Sequence, residues 1–203
     1  MITLYWSPQT RSARAFWMLE EVGRPYRLEA VDIRAETRRD PKGFAEASPL
    51  GKVPALTDGE TSVADSAAIA LYLADRYAAG DLAPLADDPA RGEFLYWLFY
   101  TPSVIEPAMA EKIAGIAPNP VSFPWGSFDK MVAALERRLA DREWVSAGRF
   151  TMADLLLAGS VDFLASFGML QPSKPLADYR DRCLARPAAV RAREREASAA
   201  AGA

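Results

Sequence analysis

The sequence predicts an α/β domain followed by an all-helical domain, and three observations carry that prediction. The first 77 residues alternate β-prone and helix-periodic stretches in the order β-α-β-α-β-β-α. A stretch rich in Ala, Gly, Asp and Pro, AGDLAPLADDPA at 79–90, then interrupts the pattern. Beyond it no strand signature appears, and helix-start signals recur instead. The expected boundaries are an α/β domain over 1–78, a linker over 79–88 and a helical domain over 89–203.

Residues 2–6, ITLYW, are β-prone and end at Ser7-Pro8. From about 11 to 22, Ala15, Met18, Leu19 and Val22 fall on one helix face, with Gly23 as the C′ residue and Pro25 barring continuation. Residues 26–32 read as a second strand, and the charged stretch 34–47 as a loop with a short helix. In LTDGETSV, Asp58-Gly59 between two β-prone runs predicts a type I′ hairpin. Residues 66–77 form a helix with Ile69 and Leu73 on one face and Tyr72 and Arg76 on another.

In the second half, Asp88-Pro89 reads as an N-cap followed by proline at N1. Phe94 to Tyr100 is apolar or aromatic at every position, which predicts a helix buried on all sides, between domains or subunits. APNPVSFPWG at 117–126 is a proline-rich loop, followed by a helix over about 127–141. Thr151-Met152-Ala153-Asp154 is a variant capping box that opens an apolar helix to about 167. Arg186-Pro187 starts a last helix, and ASAAAGA at 197–203 reads as a frayed tail.

Composition narrows the chemistry. Half of the 203 residues are hydrophobic and the net charge is −3, so no electrostatic footprint for nucleic acid or an anionic membrane is present. The arginines around 34–42 and 186–195 are interleaved with acids and read as a solvated face. The N-terminus lacks a basic n-region and no segment approaches a membrane span, so a cytoplasmic location is expected. The single Cys183 excludes an internal disulfide framework and reads as a small buried residue. The absence of histidine removes Ser-His and Cys-His nucleophile pairs and every His-based metal site. No metal centre is expected, and chemistry must run on hydroxyls, carboxylates, lysines, backbone dipoles or a bound cofactor.

Three places could supply it. Ser7, Thr10 and Ser12 put three hydroxyls in the turn before a helix N-terminus, where an anion such as a thiolate would be stabilised. Plain helix capping by Thr10 or Ser12 is the competing explanation. In SPLGKVPAL at 48–56, Pro54 interrupts an apolar run that should be a strand. A cis Val53–Pro54 bond would leave the Val53 backbone free to hold an extended peptide. Asp65 and Ser66 sit where a strand passes into a helix. They either cap it or grip a ligand's amino and carboxylate groups.

These motifs carry a resemblance. The whole chain, through LYWSPQTRSAR, SPLGKVPAL, ADSAAIALYLADRY and GRFTMADLLLA, resembles the cytosolic glutathione S-transferases. The resemblance implies a thioredoxin-like first domain, an all-α second domain, a homodimer, and glutathione as co-substrate without a metal. It gives Val53 the backbone contacts to the cysteinyl part of glutathione and makes Pro54 the family's cis-proline. Asp65 and Ser66 would bind the γ-glutamyl end. Lys52, or a residue near 38–42, would meet the glycyl carboxylate. Thr10 best matches the hydroxyl facing the thiol, with Ser7 and Ser12 as competing placements and Tyr5 as a further candidate by analogy with tyrosine-type members. The electrophile would be a small hydrophobic molecule lying against Tyr96, Tyr100, Phe123 or Trp125. Bacterial members with a first-turn cysteine carry it near position 10 or 11, where this chain has Thr10 and Arg11. Disulfide-exchange chemistry is therefore disfavoured. A non-catalytic glutathione-fold binding module, and a glutathione-dependent isomerase, dehalogenase or peroxidase, are the alternatives.

The energetics need no general base. A free thiol has a pKa of about 8.5, and lowering it to about 6.5 takes roughly 2.7 kcal/mol. One hydrogen bond to a charged group contributes about 1.5–3 kcal/mol and a helix N-terminus about 0.3–1.

Overall fold

The computed structural model describes residues 1–35 and 40–202. Its elements, in chain order, begin with β1 (Ile2–Trp6), α1 (Ser12–Val22), β2 (Tyr26–Ala30), α2 (Phe44–Ala47), β3 (Ala55–Asp58), β4 (Thr61–Ala64) and α3 (Ser66–Tyr77). There follow α4 (Arg91–Tyr100), a π-helical turn (Thr101–Ile105), α5 (Glu106–Ala114), α6 (Phe128–Leu139), α7 (Met152–Ser166), α8 (Lys174–Leu184) and α9 (Pro187–Ala201). The chain divides into two compact units, one being Met1–Ala79 with the segment from Arg186 on, the other Gly80–Ala185.

The first unit is built on a four-stranded sheet of order β2-β1-β3-β4, with β1 and β2 parallel and the other neighbours antiparallel. This is the expected β-α-β-α-β-β-α order of a thioredoxin-like domain. Ile2, Leu4 and Trp6 of β1 alternate with Tyr5, and all four are buried, because both sheet faces are covered. Trp6 meets Phe16 of α1 edge-on at 5.1 Å. On the other face Tyr5 packs with Val31, Phe44, Ala47 and Ala55.

The Tyr5 hydroxyl donates to the Lys42 carbonyl at 3.0 Å and lies against Gly43. A Cβ at Gly43, which holds φ +85°, would sit 2.7 Å from that hydroxyl. Gly43→Ala should therefore cost about 1–3 kcal/mol, from strain and overpacking together. A denaturant midpoint unchanged from the parent would contradict this packing. The same contact makes Tyr5 a structural residue rather than a thiol-facing one.

The hairpin differs from expectation. Asp58 pairs with Thr61, so the loop is Gly59-Glu60, and only Gly59 of the two has positive φ. A type I′ turn needs positive φ at both, and the observed signs are those of type II′. Asp58 is spent elsewhere, accepting from Tyr72 at 3.0 Å and from Tyr77, with the Arg76 guanidinium 3.2 Å away. Burial raises its pKa, but the two phenols and Arg76 outweigh that and hold the carboxyl below its ordinary range. The face of α3 carrying Tyr72 and Arg76 thus fastens the helix to the hairpin.

The expected one-sided burial of α1 is also too narrow. Phe16 and Trp17 are buried along with Ala15, Met18 and Leu19: Phe16 lies edge-on to Trp6 and Tyr26 of the sheet, and α9 also packs on the helix. Arg186 grips Glu21 with two bonds of 2.7 and 2.9 Å, and Trp17 Nε1 donates to the same carboxylate at 2.9 Å. The sequence reading placed 186–203 with the helical domain, whereas these contacts group α9 with the sheet. Nor does the tail fray at 197, since α9 continues to Ala201.

In the second unit, α7 is buried around its circumference and packs against α4 and α8. Its start is the expected capping box. Asp154 accepts from the Thr151 N–H at 2.9 Å, the Thr151 hydroxyl at 3.1 Å, the Val145 N–H at 2.8 Å and the Tyr179 hydroxyl at 2.9 Å. The stretch expected as a linker is tied to this start. Leu82 and Ala83 are buried, the Leu82 carbonyl accepts from Met152 N–H, and Arg149 donates to the carbonyls of Gly80 and Asp81. Asp88 accepts from Ala90 N–H at 2.8 Å as a cap would, while the regular helix begins at Arg91. Pro102 and Pro107 each lack the N–H of an α-turn, and between them Glu106 N–H reaches back five residues to the Thr101 carbonyl.

The α4 run is not buried on all sides within the chain. Phe94, Trp97, Leu98 and Tyr100 face inward, while Tyr96 and Phe99 are exposed. Cys183 is buried. Among the described residues no helix is long and apolar enough to cross a membrane, and no acidic or Cys cluster is placed to hold a metal ion.

Candidate functional site

The sheet register brings the sequence motifs of the first unit to one place. Tyr5 pairs with Ala55, and Ala55 pairs with Ala64, so these three residues form one row across β1, β3 and β4. The segments beyond that row are Ser7–Ser12 after β1, Lys52–Pro54 before β3 and Asp65-Ser66 after β4. All leave the sheet at the same end. Adjacent strands lie about 4.8 Å apart, so the three exits span roughly 10 Å.

In the first turn, the Thr10 hydroxyl is 2.7 Å from the Ser7 carbonyl and 3.0 Å from Ser12 Oγ, and it accepts from Ser12 N–H at 3.1 Å. Ser12 is fully buried, and its Oγ accepts from Ser7 N–H at 3.4 Å. A carbonyl can only accept, so the single Thr10 proton goes to Ser7 O, and Ser12 must donate in the contact with Thr10. Two of the three hydroxyl protons are therefore committed within the turn. Ser7 Oγ makes no hydrogen bond among the described residues. The amides of α1 are also less open than expected. The N–H groups of Ser12, Ala13 and Arg14 are taken by Thr10 Oγ1, Thr10 O and Arg11 O. Thr10 Oγ1 thus braces the turn that leads into α1, whose N-cap position is Arg11. Gln9 holds φ +57°, an uncommon conformation for a residue with a side chain.

At the second exit the Val53–Pro54 bond is cis. Pro54 is buried and Val53 half-buried. Neither the N–H nor the carbonyl of Val53 is hydrogen-bonded among the described residues. Lys52 is exposed, and both its backbone groups are held by Ser48, whose Oγ accepts from Lys52 N–H at 2.9 Å and donates to Lys52 O at 2.7 Å. Residues 38 and 39, part of the alternative placement near 38–42, lie outside the described residues.

At the third exit Asp65 caps α3, its Oδ1 accepting from Ala67 N–H at 2.8 Å and Ala68 N–H at 3.3 Å. Its φ of +75° with ψ +136° is a strained backbone for aspartate. Oδ2 of Asp65, and the N–H and Oγ of Ser66, remain without hydrogen bonds among the described residues. Asp65 thus caps the helix with one oxygen, which is the capping reading, and keeps the other oxygen unengaged among the described residues.

The aromatic candidates of the second unit separate into two kinds. Tyr100 is buried, and its hydroxyl donates to the Met131 carbonyl at 3.1 Å. Burial pushes its pKa well above that of a free phenol, helped by the neighbouring Tyr96. Tyr96 is 59% exposed. Phe123 and Trp125 are half-buried and stacked at 4.7 Å, with Trp125 Nε1 donating to the buried Glu111 at 2.7 Å. Tyr96, Phe123 and Trp125 present aromatic surface, whereas Tyr100 is a packing residue.

Sequence reasoning missed Ser48 and Glu111. Neither lies in a periodic pattern, and the only signal at Ser48 is a hydroxyl four residues before Lys52 in a loop that must turn.

Residues 6–76 match the family described as glutathione S-transferase, N-terminal domain. The chain is 28% identical over 173 residues to glutathione S-transferase 3 of Schizosaccharomyces pombe, covering 76% of this chain and 70% of that protein. Among solved structures, a sphingomonad glutathione S-transferase complexed with glutathione is 27% identical at a TM-score of 0.79, covering 96% of this chain and 98% of its own. A bacterial beta-class glutathione S-transferase of Sphingomonas chungbukensis is 26% identical at a TM-score of 0.73, with 96% and 98% covered.

Proposed function

The chain belongs to the glutathione S-transferase family, and from that premise we propose that it lays glutathione across the shared sheet end and activates its thiol. The supporting observation is the row Tyr5–Ala55–Ala64, beyond which unpaired polar groups of three segments share one end of the sheet. A tripeptide in extended form reaches about 10 Å at about 3.3–3.6 Å per residue, which matches two strand spacings.

In this reading Ser66 N–H and Oγ bind the γ-glutamyl carboxylate, and Asp65 Oδ2 meets its ammonium. Val53 N–H and C=O pair with the cysteinyl backbone, beside Pro54. Lys52 meets the glycyl carboxylate. The thiol then points toward the first turn, where Ser7 Oγ has a proton to donate and Thr10 and Ser12 hold the turn in shape. The thiol proton leaves to solvent. The thiolate sulfur forms a bond to an electrophilic carbon. In substitution that carbon's bond to a leaving group breaks and the group departs with the electron pair. In addition the displaced pair moves to the far atom of the multiple bond, which takes a proton from solvent. Within the second unit, Tyr96, Phe123 and Trp125 present aromatic surface and Tyr100 is buried; the electrophile is a small hydrophobic molecule. Isomerisation, reductive dehalogenation and peroxide reduction would use the same thiolate, so the electrophile is to be identified by a substrate panel. A cytoplasmic homodimer goes with the family reading.

The test is retention on immobilised glutathione, elution by free glutathione, and conjugate formation with an activated chloroarene. Failure to bind would overturn the reading. Binding without turnover of any electrophile in the panel would identify a non-catalytic binding module instead.

A further inference from the structure

We propose that Ser48 is a positioning residue that aims the Val53 N–H at glutathione. The inference rests on the ligand placement proposed above.

Ser48 is 3% exposed and contacts no proposed ligand group itself. Its N–H donates to Phe44 O at 2.8 Å, closing α2. Phe44 and Ala47 of that helix belong to the core around Tyr5, Val31 and Ala55. Ser48 is therefore anchored to the sheet's packed face. From that anchor its single hydroxyl satisfies both polar backbone groups of Lys52, at 2.9 and 2.7 Å. A second bond, Gly51 N–H to Ser48 O at 2.8 Å, closes the turn between them.

The consequence for Val53 follows from peptide geometry. The Lys52 carbonyl and the Val53 N–H belong to one planar trans peptide and point in opposite directions. Holding the carbonyl against Ser48 Oγ therefore turns the Val53 N–H away from the loop and fixes that direction. Without the hydroxyl, the 52–53 peptide plane has no internal partner and can rotate. Glutathione would then have to order it on binding.

Calorimetric titration with glutathione and steady-state kinetics on Ser48→Ala, Ser48→Thr and the parent test this. Ser48→Ala should weaken glutathione binding about tenfold, the loss of one positioning hydrogen bond. At saturating glutathione its kcat should stay within about twofold, and KM for the electrophile should not move. Ser48→Thr, which keeps the hydroxyl, should restore affinity. If Ser48→Ala does not fold, Ser48→Cys keeps the size with a much weaker hydrogen-bonding group and should show the same split. Unchanged affinity in Ser48→Ala or Ser48→Cys, equal weakening in Ser48→Thr, or a fall in kcat with affinity preserved would each overturn the assignment. A parent protein that binds no glutathione would overturn the ligand reading itself, an outcome distinct from these.

Discussion

Ser7→Ala is expected to lower kcat/KM for glutathione conjugation by about 10–100-fold, because a hydrogen bond to a charged acceptor contributes about 1.5–3 kcal/mol and each 1.36 kcal/mol is a decade in rate. The acidic limb of the pH profile should move upward, toward the free-thiol value of about 8.5, since less of the bound glutathione is ionised at neutral pH. Thr10→Val and Ser12→Ala should have smaller effects. In the folded turn the Thr10 proton is held by Ser7 O at 2.7 Å and the Ser12 proton by Thr10. A larger loss in Thr10→Val than in Ser7→Ala, at equal melting temperature, would show that Thr10 exchanges its carbonyl partner for the thiolate.

That ordering reverses the sequence-based preference for Thr10, and the reason is physical. Sequence fixes which residues carry hydroxyls, but the allocation of protons depends on distances within a turn. Ser7, Thr10 and Ser12 all offer a hydroxyl, and which proton is free emerges only from the distances within the turn. The motifs at 52–54 and 65–66 were legible because they combine backbone constraints with local capping chemistry, both of which act over a few residues. Ser48 was not, since its role depends on a loop closing back on itself. The packing of α9 on α1 was also out of reach, because it joins Glu21 to Arg186 across 165 positions. Likewise the apolar pattern of 94–100 gave a buried helix but could not show that Tyr96 and Phe99 face outward.

Asp154→Ala is expected to cost about 3–5 kcal/mol of stability, a large part of the 5–15 kcal/mol typical of a folded protein. The substitution strands the buried Val145 and Thr151 N–H groups and the Thr151 hydroxyl, and leaves the Tyr179 hydroxyl only its long 3.5 Å contact with the residue 154 carbonyl. Each such group costs about 1–3 kcal/mol, reduced by whatever relaxation the site permits. The pH dependence of this cost discriminates between two descriptions of the box. Burial raises the Asp154 carboxyl to about 6, against the pull of its four donors, and no cation is among its bonded partners. A carboxyl with a higher pKa folded than unfolded binds its proton more tightly in the folded state. Its stabilising contribution is therefore complete below about pH 4 and is lost as pH rises through about 6. The stability gap between the parent and Asp154→Ala, read from urea midpoints, should narrow between pH 4 and pH 6 and then stay constant. A gap that widens over the same interval would mean that the four donors outweigh desolvation, so that the box holds its carboxylate charged.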